Sequence, residues 1–393
     1  MYSSVSFLLL LACGPRTPID GAPELAGVEA VSEAAAPLSV LEQGASSHDV
    51  STRARALALL LEHGDLERWA PRALYDPSPY VQRAAIDALS LRPEPQALEL
   101  IESLATRSDV EPYTRGQAGV ALHRSGRIGA RESLSEAWRA ERLHWRRAPL
   151  ALAAARMGDE EARAVLLEDL ARGDYPMEMR FFLDLADSGF EELVPSLVEG
   201  SALLEEELQL PVAVALMGLG SNAGESRFRE ALNGDVEQRL EAIDFLVELD
   251  GESSDALLRK ARRSGPEASQ RYAELALIAR GEGGLSPALE ALDSMDRELR
   301  QQGVWALSCY LASGQATGRG ERQALKRLRE MVGDPEPVVV LAAVQGLGRA
   351  GEPADRALLA ALWVEDSPSL SVEVAGAILE IEARDALSEL AAL

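Results

Sequence analysis

Asp76-Pro-Ser-Pro-Tyr-Val-Gln-Arg-Ala-Ala-Ile-Asp-Ala-Leu89 decides the fold, because an aspartate and prolines lead into Val81, Ala84, Ala85, Ala88 and Leu89 at three- and four-residue spacing. Aspartate accepts hydrogen bonds from the free N–H groups of a first helical turn, and proline fits where no N–H is needed. The apolar spacing is that of one helix face. Outward from it the pattern recurs, in Ala153-Ala-Ala-Arg-Met-Gly158 and in Ala342-Ala-Val-Gln-Gly-Leu347. Glycines stand at 126, 158, 189, 220, 251 and 281, a period of about 31 that Gly64 and Gly351 share. Each is placed to end a helix with positive φ. Asp76, Asp109, Asp174, Asp235, Asp296, Asp334 and Asp366 open the successive units. A fixed period of this length means stacked repeats, here an all-α solenoid of about eleven helical hairpins over residues 48–393.

The unit of Asp-Pro, helix, Gly-turn, helix resembles the short HEAT-like repeats of the phycobilisome-lyase type, with Val81, Ala84, Ala85, Ala88 and Leu89 carrying the match. That resemblance implies a right-handed superhelix whose first helices line a concave, partner-binding surface. Such a repeat serves many unrelated tasks, so it speaks to fold and little to function. The Trp/Leu-Gly/Tyr signature of tetratricopeptide units and the Thr-Pro-Leu-His of ankyrins are absent. Gly281 to Gly351 spans more than two units, which places a flexible loop at Ser313–Gly320.

Composition agrees with helix-on-helix packing: 47% of residues are apolar but only 5% aromatic. With 39 Lys+Arg against 64 Asp+Glu, the formal charge of −25 repels polyanions, which argues against a nucleic-acid partner. Between Asp159 and Glu207 fifteen acidic residues face three arginines, a solvated acidic surface. Arginine groups at 139–147, 259–263 and 322–329 sit beside acids and read as ion-paired surface.

Val5 to Leu11 form a short apolar core ending in Leu10-Leu-Ala-Cys-Gly14. The string resembles the lipobox of bacterial lipoproteins, which implies a signal peptide over 1–12 and lipidation of Cys13. That places the protein on the extracytoplasmic side of a bacterial envelope. The residues after it, rich in Ala, Pro, Gly, Ser and Glu with Pro15, Pro18, Pro23 and Pro37 breaking any long helix, read as a tether over 13–47. Met1 to Ser6 lack the usual Lys or Arg. The only other cysteine, Cys309, lies in an apolar helical run and reads as an inert buried thiol.

Motifs that carry chemistry are few. Gly346-Leu-Gly-Arg-Ala-Gly351 spells a dinucleotide fingerprint, but Gly351 falls in the repeat register and Pro335 with Pro337 begins a helix rather than a strand. The four histidines have no ligand spacing, and no nucleophile elbow or phosphate loop occurs. No catalytic residue, cofactor or metal is expected.

One candidate surface remains. Superposing the repeats brings Tyr80, Tyr113 and Trp145 to the same place in the first turn of their helices, with Tyr175 a residue away. Such rings suit interface anchors as well as local caps. The sequence therefore reads as a lipid-anchored, monomeric, non-catalytic scaffold that binds a protein or envelope component. An enzyme or lyase subunit with a site spread over several repeats, and a structural envelope part, are the alternatives.

Overall fold

The computed structural model describes residues 35–92, 94–205, 209–313, 318–363 and 367–391. Cys13, the expected signal peptide over 1–12 and Asp366 lie outside them. The described residues hold 22 α-helices and no strand, grouped in two compact units.

The first helix, α1 (Ala35–Gly44), belongs with the C-terminal unit. The N-terminal unit follows: α2 (Val50–His63), α3 (Leu66–Leu74), α4 (Pro79–Ser90), α5 (Pro95–Thr106), α6 (Pro112–Arg124), α7 (Arg131–Ala140), α8 (His144–Arg156), α9 (Glu160–Ala171), α10 (Met179–Ala186), α11 (Val194–Ser201), α12 (Gln209–Gly218) and α13 (Asn222–Ala231). The C-terminal unit continues with α14 (Val236–Val247), α15 (Glu252–Arg263), α16 (Glu267–Ala279), α17 (Ser286–Ala291), α18 (Arg297–Ala312), α19 (Gly318–Met331), α20 (Pro337–Ala350), α21 (Asp355–Ala360) and α22 (Pro368–Ala391). From α2 to α21 the helices form ten consecutive hairpins. Their even-numbered members we call first helices, and their odd-numbered members second helices.

Gly126, Gly158, Gly189, Gly220 and Gly281 end their helices at φ between 70° and 94°, where a Cβ would be strained. Gly64 and Gly351 do not: both have negative φ, and both donate N–H to the helix carbonyl four residues back.

The opening aspartates divide in the same way. Asp235 and Asp296 cap helices, Asp235 in a full capping box with Gln238. Asp76 and Asp334 instead sit two residues before the N-cap and take a bidentate guanidinium from the preceding first helix: Arg53 to Asp76 at 2.8 and 3.2 Å, and Arg300 to Asp334 at 2.8 and 3.0 Å. Arg115 and Arg239, at the same helical position, donate to main-chain carbonyls. A second staple occurs three times, each reaching back about one repeat. Arg92 donates to Leu61 and Gly64 O, Arg280 to Leu246 and Leu249 O, and Arg384 to Gly348 and Gly351 O. These guanidiniums satisfy carbonyls that a helix C-terminus leaves free.

Helix α20 runs unbroken through Gly346 and Gly348, with no strand before it. Both glycines serve packing: a Cβ on Gly346 would strike Ser308 Oγ of α18, and one on Gly348 would lie 2.9 Å from Ala377 Cα of α22. Gly348→Val is therefore expected to cost about 1–3 kcal/mol by overpacking. Neither wild type nor variant should bind NAD at millimolar concentration. Chemical denaturation and isothermal titration check both, and saturable NAD binding by the wild type would reverse the assignment.

Three expectations are corrected. Ala35–Gly44, expected within the tether, is helical and packs on α22, burying Pro37, Leu41 and Ala45. The loop at 313–320 is shorter, since Gly318–Gly320 already belong to α19, and the extra residues lengthen α18 to 16 and α19 to 14 residues. Cys309 is buried, as its apolar run implies. Ion pairing accounts for Arg139, Arg147, Arg327 and Arg329, whereas Lys260, Arg262 and Arg263 have no ion pair among the described residues. No described helix is long and apolar enough to cross a membrane.

Candidate binding surface

In the N-terminal unit the first helices do not leave an open groove. Helix α6 is buried on every side from Pro112 to Leu122, because charged side chains span the space between α4 and α10. Arg83 of α4 reaches Glu111 at 3.7 Å and Glu178 at 4.0 Å. Asp87, one turn on, meets Gln117 at 3.2 Å and Arg180 of α10 at 3.4 Å. Arg180 continues to Asp184 at 3.3 Å; Arg124 bridges Asp184 and Asp187 at 3.0 and 2.9 Å; Arg156 closes on Asp187 at 3.0 Å.

Asp184 is the pivot of this network. Its burial pushes the carboxyl pKa up, against the pull of Arg180, Arg124 and Arg156. Burial opposes the charge of Arg180 too, but Asp87 and Asp184 more than offset it, and its pKa rises. Signs alternate along the row, so the face is internally compensated, and Arg124, Arg180, Asp87 and Asp187 keep more than a third of their side chains in water.

The C-terminal unit is built the other way. On α14, Asp244 is pushed up to about 7 by burial and by Glu241 and Glu298. Glu248 reaches about 7 through burial, Asp244 and Asp250, with Arg280 opposing. Burial beside the same carboxylates raises the Tyr272 phenol. Half-buried acids with little cationic compensation hold their protons here well above the ordinary carboxylate range.

The aromatic ladder splits. Tyr80, Tyr113 and Trp145 do occupy the same second helical position in α4, α6 and α8. Yet Tyr80 and Trp145 are 43% and 50% exposed, whereas Tyr113 is 5%. The Arg83 guanidinium lies 5.2 Å from the Tyr113 ring and covers it. Tyr175 is out of register, three residues before the cap of α10, and packs with Phe181 and Phe182 at 6.4 and 5.7 Å in a buried cluster. Tyr113 and Tyr175 are therefore structural. Exposed apolar side chains that the sequence reading did not single out join the two remaining rungs: Tyr75, Leu143 and Met177 lie at the turns into α4, α8 and α10. Repeat alignment finds them only if the turns, and not just the helices, are superposed.

Among the described residues no three His, Cys, Asp or Glu side chains are arranged to hold a metal ion. The surface offers rings, aliphatic groups and paired charges, a set suited to recognition.

Of the comparisons with known proteins, the family model bears on the fold. No curated protein matches the chain. A crystal structure of an engineered protein from the Northeast Structural Genomics Consortium is similar at 16% identity and a TM-score of 0.33, covering 88% of this chain and 99% of that one. The HEAT-repeat family model matches residues 37–123, 66–153 and 285–391, together more than half of the sequence. The chain belongs to the HEAT-repeat proteins.

Proposed function

We propose that this chain is a protein-binding scaffold without catalysis of its own, held at the extracytoplasmic side of a bacterial envelope by a lipid on Cys13. The exposed side chains of Tyr75, Tyr80, Leu143, Trp145 and Met177, at the entries to first helices, carry this reading. Aromatic side chains left in water at repeated positions lose hydration on contact with a partner and supply the anchors of an interface. The neighbouring Arg and Asp side chains of α4, α6 and α10 form a polar margin of both signs. That margin favours a protein over a polyanion.

Crosslinking in cells, followed by mass spectrometry, identifies the partner. Tyr80→Ala with Trp145→Ala is expected to weaken capture at least tenfold with the melting temperature unchanged, since anchors of this kind contribute about 1–2 kcal/mol or more. Unchanged capture would remove these side chains from the interface.

The anchor has its own test. The two cysteines of the sequence cannot hold both a thioether lipid at Cys13 and a disulfide from Cys309 within one chain. Intact mass of the protein from membranes is expected to show the lipid, and Cys13→Ala to move the protein into the aqueous phase. A delipidated, disulfide-linked wild type would discard the anchor while leaving the scaffold reading intact.

A further inference from the structure

Helix α22 carries two apolar sides. Val374, Ala377, Ile378 and Ile381 enter the core of the C-terminal unit with residues of α16 to α21. Val372, Ala375 and Leu379 are equally buried yet stand apart from that cluster. The last helix of a repeat stack ordinarily keeps its outer side polar, because nothing stacks on it. Here the outer side is apolar and covered, and among the described helices of this unit α1 packs on α22, as α20 and α21 do. The cover is slight. It buries Pro37, Leu41 and Ala45, spaced by four, while Ser39 and Gln43 face water. At ten residues, α1 falls below the roughly 12–15 that an isolated helix needs, so its order depends on α22. Only residues 45–49 join it to α2.

We propose that α1 is an exchangeable clasp: the Val372, Ala375 and Leu379 side of α22 accepts the α1 of a second copy in place of its own. A second copy is the occupant because its α1 presents the identical Pro37, Leu41 and Ala45 stripe. Every contact of the closed monomer is remade after exchange, and a connector of five residues gives a released α1 little freedom to search elsewhere. With α22 as its one substantial helix neighbour, α1 opens before the helices inside the stack. The closed monomer is the resting form, and reciprocal exchange couples two chains.

Two measurements on the full-length chain test this. By hydrogen exchange, the amides of α1 and of Val372–Leu379 should exchange together and ahead of those of α20. In the second, a fluorescent peptide of residues 35–48 is titrated onto the full-length protein. Leu41→Asp in the protein removes the competing clasp and is expected to tighten binding of the wild-type peptide about tenfold, whereas a Leu41→Asp peptide should not bind. Light scattering should show wild-type dimers growing with concentration and none for the Leu41→Asp chain. Exchange in Val372–Leu379 as slow as in α20, or no gain in peptide binding by the variant, would overturn the proposal.

Discussion

Replacing Arg300 with methionine is expected to lower the unfolding free energy by about 3–5 kcal/mol. The guanidinium and the Asp334 carboxylate are 11% and 4% exposed and meet in a bidentate pair. Burial alone would raise the Asp334 pKa; the Arg300 hydrogen bond and charge overcome this and hold it below the usual carboxylate range. Removing Arg300 therefore leaves a buried charge facing only the Glu336 N–H, and frees the Ser294 carbonyl that the same side chain caps. Asp334→Asn should rescue part of the loss, because the uncompensated charge goes with it. Urea denaturation of the two single variants and the double variant makes a cycle, and strictly additive losses would show that the pair does not couple these repeats.

The second large effect is a pH dependence that runs opposite to the usual acid denaturation. Asp244 holds its proton to about 7 in the folded protein against an ordinary value of 3.8. Between these values the native state binds the proton and the unfolded chain does not, so stability is complete below about pH 4 and declines as pH rises toward 7. Three units correspond to up to about 4 kcal/mol. Glu248, raised in part by Asp244, titrates with it as a pair. Carboxylates held low, such as Asp49 at about 2 and Asp334, act in the opposite direction and lose their contribution only in stronger acid. The C-terminal unit should thus be most stable near pH 4–5. Asp244→Asn is expected to raise its stability at pH 8 and flatten the slope between pH 4 and 7. Denaturant titrations at pH 5 and pH 8 decide this; an unchanged slope would mean that the carboxyl is already ionised.

Much of this was legible because repeat signals are local. A glycine at φ near 70° and a capping aspartate leave their mark at a fixed place in each unit, so the period and the helix pairs follow from spacing alone. The pairing of Arg53 with Asp76 was hidden, since aspartate before a helix looks the same whether it caps that helix or receives an arginine from the previous one. Tyr113 misled for a related reason: its position matches Tyr80 and Trp145, and only the approach of α10 across the inner face, which carries Glu178 and Arg180 toward Arg83 and Asp87, covers it. Helix α1 was mistaken for tether because Pro37 suggested a break. Proline is tolerated in a first helical turn, and the Pro37, Leu41 and Ala45 spacing was the signal that could have revealed it.

The pairing of α1 with α22 also sets an order of events during synthesis. More than three hundred residues separate the two helices, whereas the arginine staples reach only to the neighbouring repeat. At about 5–20 residues per second, α1 leaves the ribosome tens of seconds before its partner exists. Hairpins in between can stack as they emerge, each on the one before, but closing the longest loop in the molecule carries the largest entropic cost and comes after them. The Leu41 stripe is therefore the one part of the described fold that every newly made chain must carry bare until α22 has been synthesised.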